Sequence, residues 1–176
     1  MHRVELITTG GTIEKTYDER TGKLANHRSI VDRMLRRLKL PDAIITVHEI
    51  LSKDSLEFTD ADRELILEVT SSSLQNSAPG DDESASVVIL HGTDTLPITG
   101  EYLCDQLGEI TGRVILTGAM RPFEMRRSDA LQNLTEAILA SRLLWPGVYC
   151  VAHGKALRFP GVIKDRQAGT FVSENG

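Results

Sequence analysis

Thr12, in the run TTGGTIEKTYDE over 8–19, and Thr93, in HGTDT over 91–95, each stand directly after a glycine. Gly11 and Gly92 allow bare backbone turns that present the following hydroxyl to whatever cavity the loops enclose. A threonine hydroxyl is a poor nucleophile at neutral pH. Acyl transfer through it requires a group to remove its proton and donors to hold the oxyanion that develops. Lys164 is a candidate for that group, provided burial or a neighbouring cation depresses its pKa. Without such an environment it reads as a solvated surface lysine.

Two further loops, LSKDS over 51–55 and TGAMRP over 117–122, have the same small, polar make-up. Taken singly, each loop is ordinary: glycine after a strand supports a turn, and Thr or Asp before a helix caps it. Together, four loops of hydroxyls, carboxylates and close-approaching backbone on one edge compose a small-molecule site. Rival chemistries lack their residues, since the chain has no GxxxxGK[ST], GxGxxG, GxSxG or HExxH run. His2, His27, His48, His91 and His153 show no ligand spacing, and Cys104 and Cys150 form no CxxC pair. A site without metal or cofactor is expected, and the cysteines read as buried free thiols.

The elements that must position these loops are visible in the hydrophobic pattern. Short β-branched runs begin at Val4, Ala43, Ser86, Arg113 and Val148 and predict strands. Helical periodicity fills the intervals. One helix is expected over 29–40, capped by Ser29, with Ile30, Val31, Met34, Leu35 and Leu38 on one face. A second starts after Thr59, with Asp62 completing the cap and Ala61, Leu65, Ile66 and Val69 as its stripe. Others are expected over 95–107 and 126–143, the former with Pro97 in its first turn. QNSAPGDDESAS over 75–86 reads as a polar loop, and 153–176 as a hairpin followed by a tail. Apolar strands alternating with amphipathic helices predict an α/β fold. Its sheet is mostly parallel and flanked by helices on both faces, a Rossmann-like or flavodoxin-like three-layer arrangement joined by right-handed crossovers. Ligands of such sheets bind beyond the carboxyl ends of the strands, where the four loops lie.

The 176 residues fit a single domain over 1–176, with 40% apolar and 26% charged residues typical of a globular core. A formal net charge of −5 offers no general attraction to nucleic acid or anionic membranes. No apolar run is long enough to cross a bilayer, and Glu5 interrupts the amino-terminal one, so a cytoplasmic enzyme or binding protein is the expected class.

In order along the chain, TTGGTIEKTY, ILHGTDTLPITGEYL, VILTGAMRP with SDALQNL, and VYCVAHGKALRFPGVIKDRQAGTF resemble the N-terminal, catalytic domain of the bacterial-type L-asparaginase family. The resemblance spans nearly the whole chain. It implies hydrolysis of the side-chain amide of asparagine, or of glutamine, to the acid and ammonia without a cofactor. Thr12 then matches the primary nucleophile, and Thr93, Asp94 and Lys164 the second catalytic group, with Lys164 and Asp94 polarising the Thr93 hydroxyl. Asp94 would also meet the substrate's α-ammonium, and Ser52 with the Gly11 backbone its α-carboxylate. The Gly92, Thr93 and Ala119 backbones would frame the scissile amide. Tyr17 resembles a loop tyrosine that hydrogen-bonds the nucleophile, though its spacing from Thr12 is short for the family.

The resemblance also implies a homo-oligomer, dimer or tetramer. Members usually carry a C-terminal domain that helps complete the neighbouring protomer's site, so a single-domain form lacking it is expected here. Lys53 stands where many members have Gln; its charge would repel an α-ammonium but would suit a carboxylate, or simply nearby Asp54 or Glu57. Two alternatives stay open: an amidase for another amide or an ammonia-supplying component of a transamidation complex, and a non-catalytic module that binds an amino acid.

Overall fold

The computed structural model describes residues 1–75 and 86–174, so most of the polar loop expected over 75–86 lies outside the described residues. Five strands run parallel in the central sheet: β1 (His2–Gly10), β4 (Ala43–Lys53), β5 (Ser86–Leu90), β6 (Arg113–Thr117) and β7 (Gly147–Ala152). Between β1 and β4 the chain forms a small antiparallel hairpin of β2 (Thr16–Asp18) and β3 (Lys23–Ala25). The sheet order is β4-β1-β5-β6-β7, closed on one edge by antiparallel β8 (Lys155–Arg158). The order therefore reverses between β1 and β5. In flavodoxin-like sheets that reversal opens a crevice at the carboxyl ends of the two strands, and here those ends carry the Thr12 and Thr93 loops.

Helices α1 (Val31–Leu35) and α4 (Ala130–Leu143) cover one face; α2 (Asp60–Gln75) and α3 (Leu96–Leu107) cover the other. The period of two along each strand feeds both cores. Val4, Leu6, Val88, Leu90, Ile115 and Val151 point to the α1/α4 side, whereas Ile7, Val87, Ile89, Val114, Leu116 and Cys150 point to the α2/α3 side. Continuous burial of both sides of a strand explains why these runs are apolar throughout rather than alternating.

Three helix expectations need correction. The first helix is five residues, not twelve: past Arg36 the bonds tighten to i→i+3, Arg37 N–H to Met34 O and Leu38 N–H to Leu35 O, as the chain bends towards Pro41. Ser29 does not cap it alone, because its hydroxyl donates to Glu14 while accepting the Val31 N–H. The fourth helix begins at Ala130 rather than 126, since Arg127 adopts φ 60°, a left-handed conformation that breaks a right-handed helix. The cap expected at Thr59 is present in reciprocal form: Thr59 N–H donates to Asp62 Oδ2 (2.8 Å) and Asp62 N–H to Thr59 Oγ1 (3.3 Å). Ala61, expected on the apolar stripe, is exposed, and Ile66 is the residue that enters the core.

The carboxyl-terminal segment is more ordered in plan than a hairpin and a tail. β7 turns into β8 at His153 and Gly154, and a second hairpin follows, β9 (Val162–Asp165) paired with β10 (Thr170–Ser173). Phe171 and Val162 anchor that hairpin in the α2/α3 core. Lys164 lies on β9, paired with Phe171 of β10.

Candidate active site

β1 ends in a bulge against β4: Thr8 pairs with Glu49, but Gly10 pairs with Lys53. The extra residues on β4 carry Ser52 and Lys53 over the start of the next loop. Gly10 has φ 97°, and a Cβ there would lie 2.6 Å from both Lys53 N and Lys53 O, so only glycine fits. Gly11 N–H then donates to Lys53 O at 2.9 Å, and Asn26 Nδ2 donates to Gly11 O at 2.8 Å. A Cβ on Gly11 would overlap the Gly92 backbone, and one on Gly92 would overlap the Ser55 side chain. The loops after β1, β4 and β5 are thus in close contact, and Thr12 and Thr93, one residue past Gly11 and Gly92, stand on adjoining loops. The fourth loop joins them, because Gly118 lies against the His91 carbonyl and Thr93 Cγ2, bringing Ala119 alongside.

Thr12 opens a single 3₁₀ turn over Thr12–Glu14 and is half-buried. Thr93 is buried, and Lys164 Nζ reaches it from β9, donating to Thr93 Oγ1 at 2.7 Å and to Asp94 Oδ1 at 3.1 Å. Two residues 71 apart in sequence are thereby joined by a direct hydrogen bond. An ammonium donating to a hydroxyl oxygen favours its alkoxide form and leaves the hydroxyl hydrogen for a neighbouring acceptor. Arg166 Nη2 lies 2.9 Å from the same Asp94 Oδ1, a contact the sequence reading missed. The K-D-R run could have signalled it, since it sets two cations two residues apart, with Arg166 in the turn directly after β9.

The surroundings hold these loops by satisfied polar groups. His91 is fully buried, with Nδ1 on Gly92 O (2.8 Å) and Nε2 on Thr99 Oγ1 (2.9 Å). Burial pushes its pKa down to about 4, so it is a neutral brace for the turn. Asp129 accepts the Met120 and Arg121 N–H groups and pairs with His153 Nε2 at 2.8 Å, fixing the loop that carries Ala119. Glu14 is buried two residues past Thr12 and accepts from Gly10 N–H, Ile30 N–H and the Ser29 hydroxyl. Its pKa is nevertheless raised to about 7, because burial outweighs those donors.

The structure corrects the expectation for Lys53, which pairs with neither Asp54 nor Glu57. Its Nζ donates to Asp62 Oδ1 at 2.7 Å, at the cap of α2, and Asp54 is taken by Lys15 Nζ at 2.6 Å. Tyr17 is not packed into the crevice: it sits on the β2–β3 hairpin, 58% exposed, with its hydroxyl near Gly22. Among the described residues, no group of three or more His, Cys, Asp and Glu side chains could hold a metal ion. No helix among them is long and apolar enough to cross a membrane. Cys104 and Cys150 are both free thiols.

The model of the asparaginase N-terminal domain matches residues 3–173. The chain belongs to the asparaginase family. An L-asparaginase from Thermococcus kodakarensis is 29% identical over 164 residues, covering 93% of this chain and 48% of that protein. A glutamyl-tRNA(Gln) amidotransferase component from Pyrobaculum aerophilum is 34% identical over 136 residues, covering 77% of this chain and 31% of that one. The chain therefore spans less than half the length of these asparaginase-family relatives. The solved thermostable L-asparaginase from T. kodakarensis superposes with a TM-score of 0.81 at 28% identity, over 99% of this chain and 52% of that one. L-asparaginase I from Vibrio cholerae gives 0.77 at 25% identity, over 98% and 51%.

Proposed function

We propose that the crevice hydrolyses a side-chain amide of the asparagine type to its acid and ammonia, through a threonine acyl-enzyme. The observation that carries this is the Lys164–Thr93–Asp94 contact, at 2.7 and 3.1 Å, beside the Thr12 turn. In the first half-reaction the Thr12 oxygen adds to the amide carbon, its proton passes to the departing nitrogen, and the C–N bond breaks to release ammonia. In the second, water activated at the Thr93 hydroxyl adds to the ester carbon and the Thr12 oxygen leaves with a proton. Lys164 and Asp94 orient and polarise Thr93 throughout, and backbone N–H groups around Gly92, Thr93 and Ala119 hold the oxyanion. Gly11 and Ser52 face a substrate carboxylate in this scheme, and Tyr17 reaches Thr12 only if its hairpin folds inward.

Ammonia release from asparagine by the purified chain is the test. Thr12→Ala and Lys164→Met should each lower kcat/KM at least about a hundredfold, the scale of losing a nucleophile or a polarising hydrogen-bond donor, with circular dichroism unchanged. Wild-type rates in either variant remove that residue from the scheme. A second reading is favoured by the glutamyl-tRNA(Gln) amidotransferase component among the relatives: ammonia production for transamidation. Glutamine hydrolysed in preference to asparagine supports it. The reading includes a dimer or tetramer, which light scattering checks; a monomer with full activity overturns that part.

A further inference from the structure

The charged groups that meet at Asp94, beside Thr93, do not balance. Lys164 on β9 and Arg166 in the turn just past its end are two residues apart, and both converge on a single oxygen, Asp94 Oδ1, at 3.1 and 2.9 Å. The acid between them, Asp165, is occupied elsewhere: its Oδ1 accepts the Gln167 and Ala168 N–H groups of the turn, both at 2.9 Å. The other lysines at the neighbouring loops are matched one to one, Lys15 with Asp54 and Lys53 with Asp62. The Lys164–Arg166–Asp94 group thus sets two formal positive charges against one negative. Lys164 is held by Thr93 as well, so its position is determined from two sides. Arg166 is tethered to Asp94 and is 71% exposed along its side chain, which makes that pair weak and the guanidinium cheap to redirect. A planar guanidinium also binds carboxylates through two parallel N–H donors.

A free α-amino acid amide presents an ammonium and a carboxylate on one carbon. Its ammonium gains from Asp94 only by displacing Arg166 or by lying beside that like charge. An amide bearing the carboxylate without the ammonium meets a net attraction from this group, two cations against the single Asp94 carboxylate.

We propose that Arg166 is a specificity-determining residue that tunes the crevice towards amides carrying a carboxylate and no neighbouring ammonium, the desamino or N-acylated counterparts of asparagine. This rests on the side-chain amide hydrolysis proposed above and adds no reactant to it. Water is consumed, the C–N bond breaks, a C–O bond forms, and ammonia leaves.

The experiment compares kcat/KM for ammonia release from succinamate, which is asparagine without its α-ammonium, and from L-asparagine, in the wild-type chain and in Arg166→Gln, Arg166→Glu and Arg166→Lys. The succinamate-to-asparagine ratio should fall roughly fivefold in the Gln variant, the scale of one exposed charge contact. It should fall further in the Glu variant and stay within about twofold of wild type in the Lys variant, which keeps the charge. A purely structural arginine would slow both substrates together and leave the ratio where it was. An unchanged ratio in the Gln and Glu variants overturns the role of Arg166 while hydrolysis stands. Release from neither compound by the wild-type chain instead defeats the hydrolytic proposal. Calorimetric affinities of the same two compounds for the same variants then decide Arg166 by the same ratio.

Discussion

Glu14 offers a quantitative test of how the Thr12 turn is held. The carboxyl is buried and accepts from Gly10 N–H at 3.1 Å, from Ile30 N–H at 3.2 Å and from Ser29. Desolvation dominates and raises its pKa from 4.5 to about 7, with the Glu49 carboxylate adding to the rise. The folded chain therefore binds this proton more tightly than the unfolded chain does. Between the two pKa values the folded state carries more protons, so unfolding free energy falls as pH rises. Glu14's contribution is fully present below about pH 4.5 and lost as pH passes 7. At about 1.4 kcal/mol for each pH unit, that gap amounts to roughly 3 kcal/mol. Glu14→Gln keeps the shape and cannot ionise. Urea unfolding of both proteins at pH 4 and pH 8 isolates the effect, since every other titrating group is common to the two. The stability of the variant relative to wild type should improve by roughly 3 kcal/mol from the acid to the alkaline condition. A relative stability that stays flat across that range refutes the burial-driven titration of Glu14.

His91 should act in the opposite sense. Its pKa is depressed from 6.5 to about 4 by burial, so its stabilisation is present above pH 6.5 and lost as pH falls through 4; His91→Gln should flatten that acid limb in thermal melts, and an unaltered limb counts against it. Gly11→Ala forces a Cβ into the Gly92 backbone at φ 75°, so it should cost about 2 kcal/mol or more in denaturant unfolding and abolish ammonia release; a stable, active variant would show that the two loops are not in contact. Lys53→Met should leave KM for asparagine within about twofold, because its charge is spent on Asp62 rather than on substrate. It should lower the melting temperature by weakening the α2 cap. A large KM change with an unaltered melt contradicts that assignment.

Much of this protein was legible from local pattern. β-branched runs and 3.6-residue periodicity placed the five parallel strands and four helices. Once strands are parallel and crossovers right-handed, the loops after β1, β4, β5 and β6 must all open on one edge. That directionality follows from chain connectivity, so the threonine loops could be assigned to a common side without knowing the strand order. Where local pattern misled, a side chain had been drawn to a distant partner or the backbone had turned against its neighbours. Ser29 was shared between the start of α1 and Glu14, and Arg127 broke the start of α4 by turning left-handed.

Partner choice at the site belonged to the tertiary structure. Only the order β4-β1-β5 sets the Thr12 and Thr93 loops side by side, and only the β9–β10 hairpin, anchored by Phe171, carries Lys164 across to Thr93. Lys53 was equally free in sequence to meet Asp54, Glu57 or Asp62, and Asp94 to meet one cation or two. Periodicity specifies which face of its own element a residue occupies. Which opposing residue comes within hydrogen-bonding reach depends on how the elements pack, and that packing is determined by the whole core at once.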